Sequence, residues 1–391
     1  MRLRFLSFAF DRPAIARPAQ FFRAGALASL ASLLALTGCG QFFPPLSTGG
    51  GGGGTGDYLF AGNLGATSVA GFSIASSALS NISGSPFTVA AAPTALAVTP
   101  DDDYLFVGSE AGGIYVYTIS SSGALTLGNN GSAVATGVAP SVLRVDPSGA
   151  FLLGADSLTG SVYDFQINSG GALTAISSST ITLNETVPAS DLEITPDGSY
   201  VFVSCGTAGV YTLSFDSGSG DLTQINSVLK TKSSNDADNG MAIDPTGSYL
   251  LVAETGIGAV RVFSISSTNG TLSEVSGSPY TTGTGAYDVL VDATGAYVYV
   301  ANRTPGTISA FTLSSSGTLT AVSGSPFTTG KLPEQMVEDN SKTYIAVVCA
   351  GGGPDLQLFT ISTTTPGALT SFATSTTGTD PTEASVIAAT P

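Results

Sequence analysis

The sequence predicts an all-β protein. Its form is a seven-bladed β-propeller of four-stranded blades, with the ring closed by the C-terminal strand pairing into the first blade. Three observations carry this. An aromatic-led strand signal starts at Tyr58, Tyr104, Phe151, Tyr200, Tyr249, Tyr297 and Tyr344, at spacings of 46, 47, 49, 49, 48 and 47 residues. A fixed period of that length, filled with short strands, marks a closed repeat architecture. Each period holds four strand signals, and the two ends of the chain carry complementary fragments of one period.

The first signal in each period is the aromatic-led run, such as Tyr200-Val201-Phe202-Val203. The second alternates with period two. In Val260-Arg261-Val262-Phe263-Ser264-Ile265 the polar Arg261 and Ser264 interrupt apolar positions as a strand requires, not a helical stripe. The third is short, as in Ala124-Leu125-Thr126-Leu127, and follows Gly or Ser clusters that read as turns. The fourth, as in Leu143-Arg144-Val145 or Leu192-Glu193-Ile194, runs into Asp146-Pro147 or Thr195-Pro196-Asp197-Gly198, the signature of a type I turn.

Tyr58 has no fourth-type strand before it, whereas Ala384-Ser385-Val386-Ile387 has no aromatic-led strand after it. The orphans balance only if the last strand joins the first blade, which also hides the edges that unpaired strands expose. An open solenoid would leave both unpaired.

Residues 1–57 have a different character. Five arginines precede an apolar run from Ala24 to Leu36, which is too short to span a bilayer and suits a signal sequence. The run ends in Leu36-Thr37-Gly38-Cys39, which resembles the bacterial lipobox. The organisation expected is a lipoprotein signal peptide over 1–38, a lipidated Cys39 with a Gly-rich tether over 39–57, and the propeller over 58–391. An ordinary signal peptide with a chance cysteine is the alternative. The expectation is an exported monomer, lipid-anchored at the outer membrane or periplasm-facing cell envelope.

Five of the twelve Lys and Arg and one of the 28 Asp and Glu lie in that leader, which leaves the mature chain with seven bases against 27 acids. Such a balance excludes nucleic acid as a partner, because phosphate neutralisation needs a basic stripe. Cys205 and Cys349 sit at one offset in blades four and seven, too far apart for a disulfide, and read as small buried apolar residues.

The recurring Gly-Ser-Pro-Phe phrase (Gly84-Ser85-Pro86-Phe87, Gly324-Ser325-Pro326-Phe327, and Gly277-Ser278-Pro279-Tyr280) joins the aromatic starts and Pro-Asp-Gly turns in a pattern that resembles the bacterial lactonase-family propellers. That group includes 6-phosphogluconolactonase-like proteins. Tyr299-Val300-Ala301-Asn302 is similar to the Tyr-Val-Thr-Asn repeat of related surface propellers. The resemblance implies a Pro-Arg-His step where an inner strand enters the central channel, with Glu and further Arg nearby to activate water and stabilise an oxyanion. This sequence departs there. It has no histidine, and neither Arg144, Arg261 nor Arg303 falls at such a step.

The entry steps supply acids instead: Asp191, Asp288, Glu334 and Glu383, from four blades. On this ground the expected function is a non-catalytic binding or scaffold module. The four carboxylates would hold a divalent cation, a small molecule or a basic protein segment at the channel mouth. Solvated rim residues without a ligand are the plain alternative. The second hypothesis is a lactone hydrolase with a non-standard active site, in which Asp191 or Asp288 would replace the missing base. No organic cofactor and no spaced metal-ligand motif is expected. Asn235-Asp236-Ala237-Asp238-Asn239 forms a second acidic cluster without calcium-loop spacing, and is expected to be an inserted surface loop.

Overall fold

The computed structural model describes residues 56–391 except 76–77, 110, 112, 177–179, 184–187, 232–235 and 376–383. The leader, Cys39 and Glu383 therefore lie outside the described residues. Seven antiparallel sheets form among those described, each with four main strands running outward from the channel. Blade two is typical, with Ala95–Val98 innermost, then Tyr104–Ser109, Gly113–Ile119 and Leu125–Leu127. Each inner strand contacts the inner strands of both neighbouring blades, which closes the ring.

Closure runs through the C-terminus, as the orphan fragments require. Ala384–Ala389 pairs antiparallel with Tyr58–Asn63, setting Leu59 opposite Ala389 and Gly62 opposite Val386. The Tyr58 N–H donates to Thr390 Oγ1 at 2.9 Å, and the Thr390 N–H donates to the Tyr58 carbonyl at 3.0 Å.

The aromatic-led strands are buried on both faces because each sheet is covered by a neighbour on either side. Their side chains fill seven apolar clusters, one for each pair of adjacent blades. Phe60, Phe106 and Phe202 are fully buried there. Such burial is worth about 1.5–3 kcal/mol for each large side chain.

The turn after each inner strand is built by its first residue. Asp146 Oδ1 accepts the N–H of Phe151 at 2.7 Å, and Asp292 Oδ1 accepts that of Tyr297 at the same distance. Thr99 replaces the aspartate in blade two, and its hydroxyl accepts the Tyr104 N–H at 3.1 Å. The Gly-Ser-Pro-Phe phrase also has a structural task. Ser85, Ser278 and Ser325 each accept a second-strand N–H, at 2.9, 3.1 and 2.9 Å. The following Phe87–Thr88, Tyr280–Thr281 and Phe327–Thr328 then pair with that strand.

The acidic cluster expected on an inserted surface loop is interior instead. Asp236, Asp238 and Glu254 are all fully buried, and Arg261 Nη1 donates to Glu254 Oε1 at 2.8 Å. A buried cation in the second strand of blade five draws these acids inward, a partnership that sequence spacing does not display. Cys205 and Cys349 are both buried.

Several interior carboxyls hold their protons unusually tightly. Burial pushes Asp164 up to about 8. Burial, reinforced by a hydrogen bond from the Asp236 side, pushes Glu254 up to about 8. Both values lie above those of the unfolded chain, so the folded state retains protons that the unfolded state releases. The stability they contribute is fully present below about pH 4 and is lost as pH rises through about 8. The melting temperature should therefore fall steadily from pH 5 to pH 8.5, and Asp164→Asn should flatten part of that fall. A melting curve independent of pH over this range would contradict the assignment.

Candidate active site at the channel mouth

The inner strands enter the channel at one end and place chemically equivalent positions around it. Asp191, Asp288 and Gln335 occupy one such position, opposite Ser204, Ala301 and Val348 of their neighbouring strands. Each accepts an N–H from the inner strand of the following blade. Met241 donates to Asp191 Oδ2 at 2.8 Å, Met336 to Asp288 Oδ2 at 2.7 Å, and Ile387 to Gln335 Oε1 at 2.8 Å. These side chains brace the ring with one oxygen, so their entry-step position has a structural reason. The other oxygen of Asp288 lies over Gly240, where an added Cβ would stand 2.7 Å from Oδ1 and 2.6 Å from the Asp288 Cα. The glycine leaves that carboxyl oxygen room at the cavity wall.

Cations stand beside these acids. They reach them from outside the entry step, where the sequence has no arginine. Arg144 and Glu193 fill the same inner-strand position in successive blades, opposite Leu153 and Phe202. They lie two residues deeper than the entry step and therefore face the channel on the same side of the strand. Arg144 Nη2 donates to Asp191 Oδ1 and to Glu193 Oε1, both at 2.9 Å. Its side chain keeps 27% of its surface exposed. Arg303 reaches the mouth from the turn after Tyr297–Asn302. Its Nη2 donates to Glu334 Oε1 at 2.5 Å, and its guanidinium lies 4.4 Å from the centre of the Tyr287 ring.

Burial is the main influence on these carboxyls. It raises Asp191 and Glu334, against the pull of Arg144 and Arg303 respectively. It raises Glu193 to about 7 in the same way. Asp288 is different: no ion pair joins it among the described residues. Burial first, and the charge of Asp191 second, push it well above the usual carboxylate range. Neighbouring carboxyls with and without an arginine partner are the kind of environment that separates acid and base roles.

Arg144, Asp191, Asn239, Tyr287, Asp288 and Glu334 line one cavity of about 500 Å³ at this end of the channel. Three of the four predicted acids therefore meet at one mouth. Glu334 stands one residue nearer the rim than the other two and belongs to Arg303, and Glu383 lies outside the described residues. Among the described residues no group of three or more His, Cys, Asp or Glu side chains is arranged to hold a metal ion.

A family model described as "Lactonase, 7-bladed beta-propeller" matches residues 60–386. The chain belongs to this family. A search of curated proteins gives no match. Among solved structures, a putative 6-phosphogluconolactonase from Bacteroides fragilis superposes on this lactonase-family propeller with a TM-score of 0.71 at 19% identity, covering 89% of this chain and 99% of that one. The periplasmic gluconolactonase of Pseudomonas aeruginosa does so with a TM-score of 0.69 at 16% identity, covering 85% and 98%. A Lactobacillus plantarum protein gives 0.70 at 19%, covering 86% and 99%. At such identities the likeness is one of fold. Family membership favours the hydrolase hypothesis over the non-catalytic module, and the arginines at the mouth remove the main physical objection to it.

Proposed function

We propose that this lactonase-family propeller hydrolyses a lactone bearing no phosphate, at the mouth lined by Asp288 and Arg144. The observation that supports it is a buried carboxyl that no ion pair joins among the described residues, in one cavity with a channel-facing guanidinium. A carboxylate titrating above its usual range suits a general base near neutral pH, since its basicity rises with its pKa. Ionised Asp288 takes a proton from water as the water oxygen bonds to the lactone carbonyl carbon. Arg144 faces the negative charge that develops on the carbonyl oxygen, with Asp191 and Glu193 fixing its orientation. The ring C–O bond then breaks, and the proton passes from Asp288 to the departing alkoxide oxygen. The product is the open hydroxy acid.

The charge balance defines the substrate class. Among the described residues, Asp191, Glu193 and Glu334 pair with Arg144 and Arg303 at this mouth, and Asp288 joins no ion pair. A phosphate dianion would add charge of the sign already in excess, whereas a neutral ring would not. Acid release should therefore be faster from a neutral sugar lactone than from its phosphorylated counterpart by at least about tenfold in kcat/KM, as like-charge juxtaposition of a few kcal/mol implies. Equal or greater turnover of the phosphorylated lactone would rule out this choice of substrate, and no turnover of any lactone would rule out the hydrolase.

A further inference from the structure

Large exposed apolar side chains are scarce on this protein and unevenly placed. Among the described residues they are Leu64, Leu127, Leu158, Ile257 and Leu332. Four of the five belong to the face that carries the mouth. Leu64, Leu158 and Ile257 sit on the turns between first and second strands of blades one, three and five, and Leu332 directly precedes the inner strand Pro333–Glu338. Leu158 is 74% exposed and Leu64 is 44% exposed. Both also line the cavity that holds Arg144 and Asp288.

The cavity is two-sided. Its carboxylates come from blades four, six and seven. Blades one to three add Leu64, Leu96, Val142, Leu143 and Leu158, interrupted by small hydroxyls. Three of those hydroxyls already donate to backbone carbonyls: Thr94 to Pro140 at 2.6 Å, Ser141 to Ala189 at 2.8 Å and Ser157 to Ala139 at 3.3 Å. This wall therefore offers little hydrogen bonding to a polyhydroxylated substrate. Its volume of about 500 Å³ falls within the ~300–1,000 Å³ that encloses ligands of drug size, well beyond a single five- or six-membered ring. A ring placed between Asp288 and Arg144, the latter on the inner strand of blade three, leaves Leu64 and Leu158 at the rim uncovered.

Building on the hydrolase reading, we infer that the substrate is an amphiphilic lactone. Its ring meets the charged groups, and an apolar substituent lies along Leu64 and Leu158. Burying that substituent covers leucines which otherwise face water, the term that makes apolar contact favourable.

The test uses non-hydrolysable lactams of one ring, unsubstituted or carrying alkyl chains of increasing length, titrated calorimetrically into the full chain. The affinity should rise about fourfold per added methylene until the wall is covered. In Leu64→Ser/Leu158→Ser, with its melting temperature as the control for folding, that dependence should flatten by at least half. Affinity independent of chain length in the wild type, or unchanged dependence in the folded double variant, would overturn the inference. Parallel lactone hydrolysis separates the two claims. Turnover without any chain preference removes the amphiphilic substrate alone. Chain-dependent lactam binding without turnover removes the hydrolase alone.

Discussion

Removal of Ala384–Pro391 abolishes the cooperative fold or lowers its melting temperature by about 10–20 °C. This segment is the whole inner strand of blade one, and it is the last in sequence to arrive. Ile387 is 2% exposed and packs in the cluster between blades seven and one, whereas Ala388 packs between blades one and two. Truncation of one such isoleucine to alanine costs about 2–5 kcal/mol. In a domain of this size each kcal/mol moves the transition by about 2–4 °C. The deletion also leaves the Gln335 side-chain Oε1 without the Ile387 N–H, and Tyr58 without both of its bonds to Thr390. Ile387→Ala alone should show a fraction of the loss. A truncated protein that melts within about 2 °C of the intact one would show that the ring is not held by its tail.

Asp288→Asn should lose at least two orders of magnitude in turnover while the protein stays folded, in line with the ~10²–10⁴-fold that a positioned general base contributes. The substitution separates the two tasks of this side chain. An amide oxygen can still accept the Met336 N–H, so the brace between blades six and seven survives. The titrating carboxyl is gone, and with it the route for the water proton. Because the raised carboxyl must ionise before it can act, wild-type kcat/KM should climb with pH through a value well above the ordinary carboxylate range. In Asp288→Asn the residual rate should lack that rise. The melting temperature should not drop, since a carboxyl that resists ionisation is replaced by a neutral group. A folded variant with undiminished turnover, or a pH profile shared by both proteins, would place the activity elsewhere.

Most of the fold was legible in the sequence because it depends on repetition. Seven aromatic starts and the complementary ends define blade number and closure without any knowledge of side-chain contacts. The Gly-Ser-Pro-Phe phrase was visible as a pattern, but its task was not: a hydroxyl accepting a strand N–H sixteen residues away, as Ser278 does from Val262, leaves no periodic trace. The acids of the site were legible for the same reason as the blades, since Asp191 and Asp288 stand at one repeated step.

The cations were overlooked because they do not stand at that step. Arg144 projects from one turn of alternation deeper, and Arg303 reaches across from a different strand end. A signal for Arg144 was available. Leu143-Arg144-Val145 and Leu192-Glu193-Ile194 fill the same repeat position in adjacent blades, so opposite charges there must meet in the channel. The interior placement of Asp236 and Asp238 had no such signal, because Arg261, which bonds the neighbouring Glu254, reads as an ordinary polar interruption of a strand.

The account stands or falls on acid release from one neutral lactone by four folded proteins: wild type, Asp288→Asn, Arg144→Gln and the double variant. If base and oxyanion partner serve one transition state, each single variant falls at least about 100-fold, and the double variant falls little further than the worse single one, as groups acting as a unit do. Wild-type turnover retained in both single variants, or a wild type no faster than the uncatalysed reaction, would contradict it.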